Sequence, residues 1–393
     1  MPSIAVLPFT NLSGDPKQEY FSDGISDQLI NNLSRLPGLF VIARNSSFSY
    51  KGKATKESEI GKELGVKYVL EGSVRKAADL VRIGVELVDA GTGIEKWTAH
   101  YDRPLKDIFA VQDEIVGKVV TTLGVILKLD KMEVPHIGSA QPTDNLEAFD
   151  DLLRAAEYTW RPTNDKDDNV KAQQWLEKAI ALDPKYAEAY ASLGWRYMYS
   201  AWNQWSDPRM DLQHASELGQ KALDLDESNS DALALLCEID WMNKRYDQAV
   251  ADGKRAVAIN PNYAEGYQAL ADTLIIDGKP EEAIRAAQEA LRLDPTGKDL
   301  HSMSVGFAYV EMGRFEDAVP ILKHDVTVFP NIMPTHLNLI EAYVELGRED
   351  DARAAAAEVM RMSPQFTLAL LPRSRDAGFD KRLQDDLRKA GLK

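Results

Sequence analysis

Residues 264–295 read AEGYQALADTLIIDGKPEEAIRAAQEALRLDP, and this stretch decides the fold. Tyr267 stands fourth in it, Leu270 seventh, Ala271 eighth and Gly278 fifteenth. Ala283, Ala287 and Ala290 fall at positions 20, 24 and 27, and Pro295 closes the unit at 32. Apolar residues recur at helical spacing on both sides of the glycine, so the segment predicts two short helices, A and B, joined by a tight turn. Small residues at 8, 20 and 27 let A and B approach closely. Large residues at 4, 7 and 11 fill the space between neighbouring units, and the proline stops helix B.

The register extends in both directions. Pro261 and Pro295 are 34 residues apart, as are Pro330 and Pro364, and Pro295 to Pro330 is 35 with the extra residue in Thr296-Gly297-Lys298. Ala249 and Ala256 hold positions 20 and 27 of the preceding unit, Ala215 and Ala222 those of the one before, and Ala172 and Ala179 those of the first. The early units are longer, the excess lying in residues 200–214 with Trp202 and Trp205. A 34-residue helix-turn-helix period with these positions is the signature of the tetratricopeptide repeat. About six such pairs are expected over residues 144–364, stacked because no pair can bury its apolar face alone. Residues 365–393 leave the pattern; 380–389 reads as one more amphipathic helix, expected to cap the last unit.

Residues 1–130 have another rhythm. Ile4–Phe9 is strand-like; Phe21, Ile25, Leu29, Leu33 and Leu36 are spaced as on a helix that Pro37-Gly38 ends; a strand follows at 39–43 and a short helix at 58–64, stopped by Gly65. Two β-runs, 67–75 and 80–89, come next. Val81, Ile83, Val85 and Leu87 alternate with other residues, as a half-buried strand requires. Gly91-Thr92-Gly93 predicts a hairpin turn, 94–101 the returning strand with Trp97 inward, and 105–127 a long helix. The order predicts a small mixed sheet with helices packed on it. Residues 131–143, with Pro135, Gly138 and Pro142, read as a linker. The expected fold class is therefore an α+β domain over 1–130 followed by an all-α tetratricopeptide-repeat solenoid.

Several segments of the first domain carry a family resemblance: PSIAVLPFTNLSGDP and YFSDGISDQLINNLSR near the N-terminus, then LFVIARNSSFSYKGK, ELGVKYVLEGSVRK and YDRPLKDIFAVQDEIVGKVV. Together they resemble the TolB-type N-terminal (FlgO-like) module of bacterial signalling proteins. In that family the module precedes tetratricopeptide repeats, and the pair lies C-terminal to class III adenylate/guanylate cyclase domains or winged-helix DNA-binding domains. The resemblance covers essentially the whole chain and implies a regulatory or scaffolding region. With neither a cyclase nor a winged helix in the sequence, the resemblance implies either a stand-alone member or a piece of a longer protein.

Composition narrows the function classes. The net charge of −16 falls almost entirely beyond residue 130, and an acidic surface repels phosphate backbones, so nucleic acid is not an expected partner. No apolar run is long enough to span a membrane and no export signal opens the chain, so a cytoplasmic location is expected; a piece of a longer membrane-anchored protein would place it in the periplasm. One cysteine, Cys237, excludes an internal disulfide, and its repeat position 8 assigns it to helix packing. The six histidines are scattered, no phosphate loop, nucleophile elbow or His-Glu-x-x-His occurs, and Gly91-Thr92-Gly93 precedes a strand rather than a helix. No catalytic residue, cofactor or metal is expected. Asp23-Gly24 is read as a helix start before it is read as an anion site.

The remaining candidate is the concave face of the repeats, where positions 2, 5, 9, 12 and 13 of each helix A point. They read Glu188, Ala191, Trp195, Met198, Tyr199; Asp231, Ala234, Glu238, Trp241, Met242; and Glu265, Gln268, Asp272, Ile275, Ile276. The last two units add Leu300, Met303, Phe307, Val310, Glu311 and Pro334, Leu337, Glu341, Val344, Glu345. This is an apolar and aromatic floor with carboxylates and no lysine or arginine. A groove that clamps a peptide carboxylate would need lysine at position 5, which Ala191, Ala234, Gln268, Met303 and Leu337 exclude. Such a floor either anchors a partner or is covered by the array's own superhelix or by the first domain. The expectation is a protein or peptide partner, basic or neutral, with apolar anchors. The chain then reads as a non-enzymatic regulatory module of a cyclase or transcription regulator; the alternative is a periplasmic, envelope-associated binding protein of the TolB kind.

Overall fold

The structure, a computed structural model, describes residues 1–127, 143–161, 165–371 and 374–393. The expected linker, 131–143, lies outside the described residues except for Thr143. The chain divides into two compact units, Met1–Leu235 with Ala256–Tyr263, and Leu236–Arg255 with Ala264–Lys393.

The first unit opens with β1 (Ser3–Val6), β2 (Thr10–Asn11), α1 (Glu19–Ser34), β3 (Phe40–Val41), α2 (Arg44–Phe48), α3 (Glu57–Glu63), β4 (Tyr68–Ala77), β5 (Leu80–Asp89), β6 (Ile94–Pro104) and α4 (Ile108–Leu127). The sheet is mixed and runs β3-β1-β4-β5-β6, with β2 also paired to β4. β1 is parallel to β3 and β4, whereas β4, β5 and β6 form an antiparallel meander. The alternation read in β5 holds: Val81, Ile83, Val85 and Leu87 are buried and face α1 and α4 in one core. Gly38, Gly65 and Gly93, at the three expected stops, take positive φ.

Two elements escape the periodicity. β2 is two residues long, too short to show an alternation, and α2 is a single turn and a half begun by Arg44 and Asn45. Gly72 explains how β5 sits so close to β4: a Cβ there would stand 2.4 Å from the Gly84 carbonyl oxygen and 2.8 Å from the Phe9 ring.

Helix pairs follow. α5 (Leu146–Thr159) and α6 (Lys166–Leu182) are joined by α7 (Ala187–Trp202) and α8 (Pro208–Leu225). Asn145, Asp165 and Asp207 cap α5, α6 and α8 through their side chains, and Pro208 occupies the first helical position of α8. Ala172, Ala179, Ala215 and Ala222 have no exposed surface, as close helix packing requires. α5 also belongs to the core of the sheet. Phe149 meets Phe109 edge-on at 4.8 Å, and Leu153 lies where a Cβ on Gly24 would be, 2.5 Å away. Gly24 therefore serves helix packing, and Asp23 is ion-paired to Lys51.

α9 (Ser230–Met242) and α10 (Tyr246–Ile259) contribute to both units. In the second unit come α11 (Ala264–Ile276) with α12 (Pro280–Leu293), α13 (Lys298–Glu311) with α14 (Phe315–Val328), α15 (Met333–Glu345) with α16 (Glu349–Met362), and α17 (Ala377–Lys389). The second half of the chain is thus a helical region of the tetratricopeptide type. Gly278, Gly313 and Gly347 turn from helix A to helix B with φ of +74°, +72° and +69°. Lys244 occupies the same turn between α9 and α10 at φ +61°, where its Cβ meets the preceding carbonyl. Lys244→Gly is expected to stabilise the protein by about 1 kcal/mol, measured by denaturant unfolding.

Candidate functional site

In the first unit Glu188, one of the expected groove positions, meets the chain's own sheet domain. Glu188 at the start of α7 accepts a hydrogen bond from Gln28 Nε2 on α1 at 3.0 Å. Burial pushes the Glu188 carboxyl up to about 7, with Asp231 adding to the rise and Arg35 opposing it. Asp27, one residue before Gln28, is raised to about 6 by burial against the pull of Arg44, whose Nε lies 3.5 Å away. Asp231 is raised by burial, with a hydrogen bond from Tyr263 and the charge of Arg35 acting the other way.

Asn262 completes this seam. Its Nδ2 donates to the Ser34 and Leu39 carbonyls at 2.9 Å each, and its Oδ1 accepts from Val41 N at 3.0 Å. β3 is an edge strand, and Val41 N is an edge donor that Asn262 satisfies. Trp195 spends its indole N–H on the Asp231 carbonyl at 3.2 Å and stacks on Trp202; Tyr199 packs on Trp202 and Trp205, and Met198 is buried.

In the second unit the concave positions form a polar ladder through a wall of apolar side chains. Trp241 Nε1 donates to Glu238 at 2.9 Å. Gln268 Nε2 donates to both Asp272 oxygens at 3.0 Å and to Ser304, and Ser304 Oγ donates to Asp272 at 2.6 Å. His301 bridges Gln268 Oε1 at 2.9 Å and Asp294 at 3.3 Å. Glu238 and Asp272 are both pushed up by burial, and the charge of Asp272 raises Glu238 further. Ile275, Met303, Val310 and Leu337 are buried, while Met242, Ile276 and Phe307 are half-buried. Glu341 is wholly buried.

The groove positions themselves hold no lysine or arginine, as their residue types require, yet cations reach two acidic sites from the C-terminal segment. Arg382 Nε pairs with Glu341 at 2.7 Å, and Arg375 Nε pairs with Asp277 at 3.0 Å. Burial raises the Glu341 carboxyl to about 7 despite Arg382, and the Glu311 carboxyl to about 8. The segment read as an end cap does join the last core: Leu387, Ala390 and Leu392 are buried with Leu337, Tyr343 and Val359. It also reaches back to α11 and α13.

The sequence singled out the groove residues but not Gln28, Arg35, Arg375 or Arg382, which act on them, nor Asn262, which bonds the β3 edge. The one available signal was the basic spacing of the tail facing an acidic array.

Cys237 is buried, 3.0 Å from Thr273 Oγ1, and burial pushes its thiol well up. Among the described residues no three His, Cys, Asp or Glu side chains gather to hold a metal ion, and no helix is long and apolar enough to cross a membrane.

Comparison with known proteins adds relatives for both parts. Residues 1–93 match the family model "HilA/YgeH-like transcriptional regulator, second domain", not a TolB-type model, and residues 264–296 match the tetratricopeptide repeat. A Rhizobium meliloti (strain 1021) protein named as an adenylate cyclase is 43% identical over 251 residues, 63% of this chain and 42% of that protein. The transcriptional regulator HilA of Salmonella typhimurium is 27% identical over 149 residues, 38% of this chain and 27% of HilA. The chain thus spans less than half the length of either relative. Among solved structures, Pseudomonas aeruginosa pilF is similar over 56% of this chain and 94% of its own, with 18% identity and a TM-score of 0.41. Residues 1–93 are thus similar to a HilA-type second domain, and residues 264–296 to a tetratricopeptide repeat.

Proposed function

We propose that the chain is a non-catalytic protein-interaction module of bacterial signal transduction, the regulatory region of an adenylate/guanylate cyclase or of a transcription regulator. The observation that carries this reading is the concave face of the second unit. It holds apolar side chains beside buried carboxylates, of which Glu238 accepts from the Trp241 indole and Glu341 pairs with Arg382. Two relatives that match part of the chain are named for these two regulatory settings. The partner this face suits is a protein segment with basic residues and apolar anchors, its carboxylates speeding encounter and its apolar floor supplying affinity. Nucleic acid is disfavoured by the acidic surface.

The test is a pull-down from a bacterial extract with the wild type and with Trp241→Ala/Phe307→Ala, followed by salt titration of each partner. Partners lost with the double variant, and weakened but not abolished by salt, are the expected result. The same partners from both proteins would move the binding site to the sheet domain.

A further inference from the structure

The C-terminal segment has the chemistry that the concave face of the second unit asks of a partner. Arg382 and Lys389 are seven residues apart on α17, about two helical turns, so they share one side of it, and Arg375 stands just before the Asp376 cap. Arg375 Nη2 pairs with Asp247 at 2.8 Å, and its backbone N donates to the Ile276 carbonyl, at the end of α11, at 2.9 Å. Arg382 pairs with Glu341 and donates from Nη2 to the Val310 and Glu311 carbonyls, at the end of α13, at 3.1 and 3.3 Å. Positive charge set on the last carbonyls of helices is a favourable use of arginine. Leu387 is buried on the same segment, and Phe379 and Leu383 pack beside it.

The seating is incomplete, and the defects are specific. Glu341 Oε2, Glu311 Oε2 and Asp386 Oδ2 are buried without a hydrogen-bond partner. Arg382 and Arg375 stay 34% and 43% exposed while the acids they face are buried. Asp386 brings a further carboxylate, 1% exposed, that pairs with Lys389 at 2.8 Å; burial raises the Glu345 carboxyl, and its hydrogen bond with Asp386 and the Asp386 charge raise it further. Like charges in a buried position oppose one another, so a segment with the same cations and a neutral residue at that place fits better than the chain's own.

We propose that residues 374–393 are a built-in occupant of the concave face of the second unit, exchangeable for a partner helix with basic residues seven apart and leucines beside them. This rests on the concave face being the binding surface, and it adds that the surface is self-occupied until a better-fitting helix displaces the tail. An exchangeable tail lowers the apparent affinity for any partner by the fraction of time it is seated.

The test uses the full-length chain and a fluorescent peptide of residues 374–393, followed by anisotropy. Wild type is expected to bind the peptide weakly, and Arg375→Ser/Arg382→Ser, whose own tail is loosened, about tenfold more tightly. A peptide carrying Asp386→Asn is expected to bind that variant more tightly again, and Glu341→Gln in the loosened chain to weaken it. Equal binding by wild type and variant overturns the proposal, as does no binding by a variant whose circular dichroism is unchanged. Should the variant fail to fold, amide hydrogen exchange of the wild type decides. Exchange of 377–389 ahead of 333–362 is expected, and equal protection of both overturns it. The pull-down can fail while this test succeeds, because here the probe is the chain's own segment.

Discussion

Ala283→Trp is expected to destabilise the second unit by about 1–3 kcal/mol or more and to lower its thermal midpoint by several degrees. Ala283 is the twentieth residue of its repeat, has no exposed surface, and stands where α12 lies against α11. An indole there cannot be housed by a rotamer change, because Ala286, Ala287 and Ala290 keep the same helix face as tight. The helices must part, and the contacts of both pairs are lost together. Ala283→Ser, nearly isosteric, serves as the control and should melt within a few degrees of wild type. A tryptophan variant with an unchanged midpoint would mean that the 34-residue register is misplaced.

Removing the cation from Glu341 is the second large effect. Glu341 is fully buried and Arg382 is its ion-pair partner, so Arg382→Ala leaves a buried carboxylate alone. At pH 8 the expected cost is about 2–3 kcal/mol, below the usual range for a buried pair because Arg382 is partly exposed. The cost should shrink toward pH 5.5. Glu341 is already raised to about 7 by burial, so its folded form holds a proton more tightly than its unfolded form. Stability from such a group is present below the unfolded value, near 4.5, and is lost as pH rises through about 7. Without Arg382 the folded value climbs further, which enlarges the loss at alkaline pH only. Glu188, raised to about 7, and Glu311, raised to about 8, have the same sign, so the wild type too should melt higher at pH 6 than at pH 8. Parallel stability curves for wild type and Arg382→Ala across this range would show that the pair is not formed.

Much of this fold is legible in the sequence because close packing constrains composition. Ala172, Ala215, Ala249 and Ala283 must be small where two helices touch, and the constraint returns at each unit. The meander β4–β5–β6 is legible for a similar reason, since Val81, Ile83, Val85 and Leu87 face one core with period two. β2 and α2 are not legible: two residues and five residues hold too few positions for a period to declare itself.

The site was legible only by half. Helical periodicity tells which residues leave the A–B contact, and so picks out Trp195, Glu238, Asp272, Phe307 and Glu341. It does not tell what lies over them, because that depends on segments distant in the chain. Gln28 reaches Glu188 across 160 residues, and Asn262 reaches Val41 across 221. Tyr199, Met198 and Trp195 pack with the chain's own aromatic and backbone groups rather than standing open. In the tail, residues 380–389 are legible as an amphipathic helix, whereas the reach of Arg375 to α11 and of Arg382 to α13 is not.

The claim at the centre of this account is that the acidic concave face of the second unit is a binding surface on which the tail sits as a separable ligand. Amide hydrogen exchange of the full-length wild type and Arg382→Ala at pH 8, resolved by peptide, measures that directly. The account predicts that residues 377–389 lose protection in the variant while 280–293 and 349–362 keep theirs. Unchanged protection at 377–389, or loss of all three segments together, would contradict it.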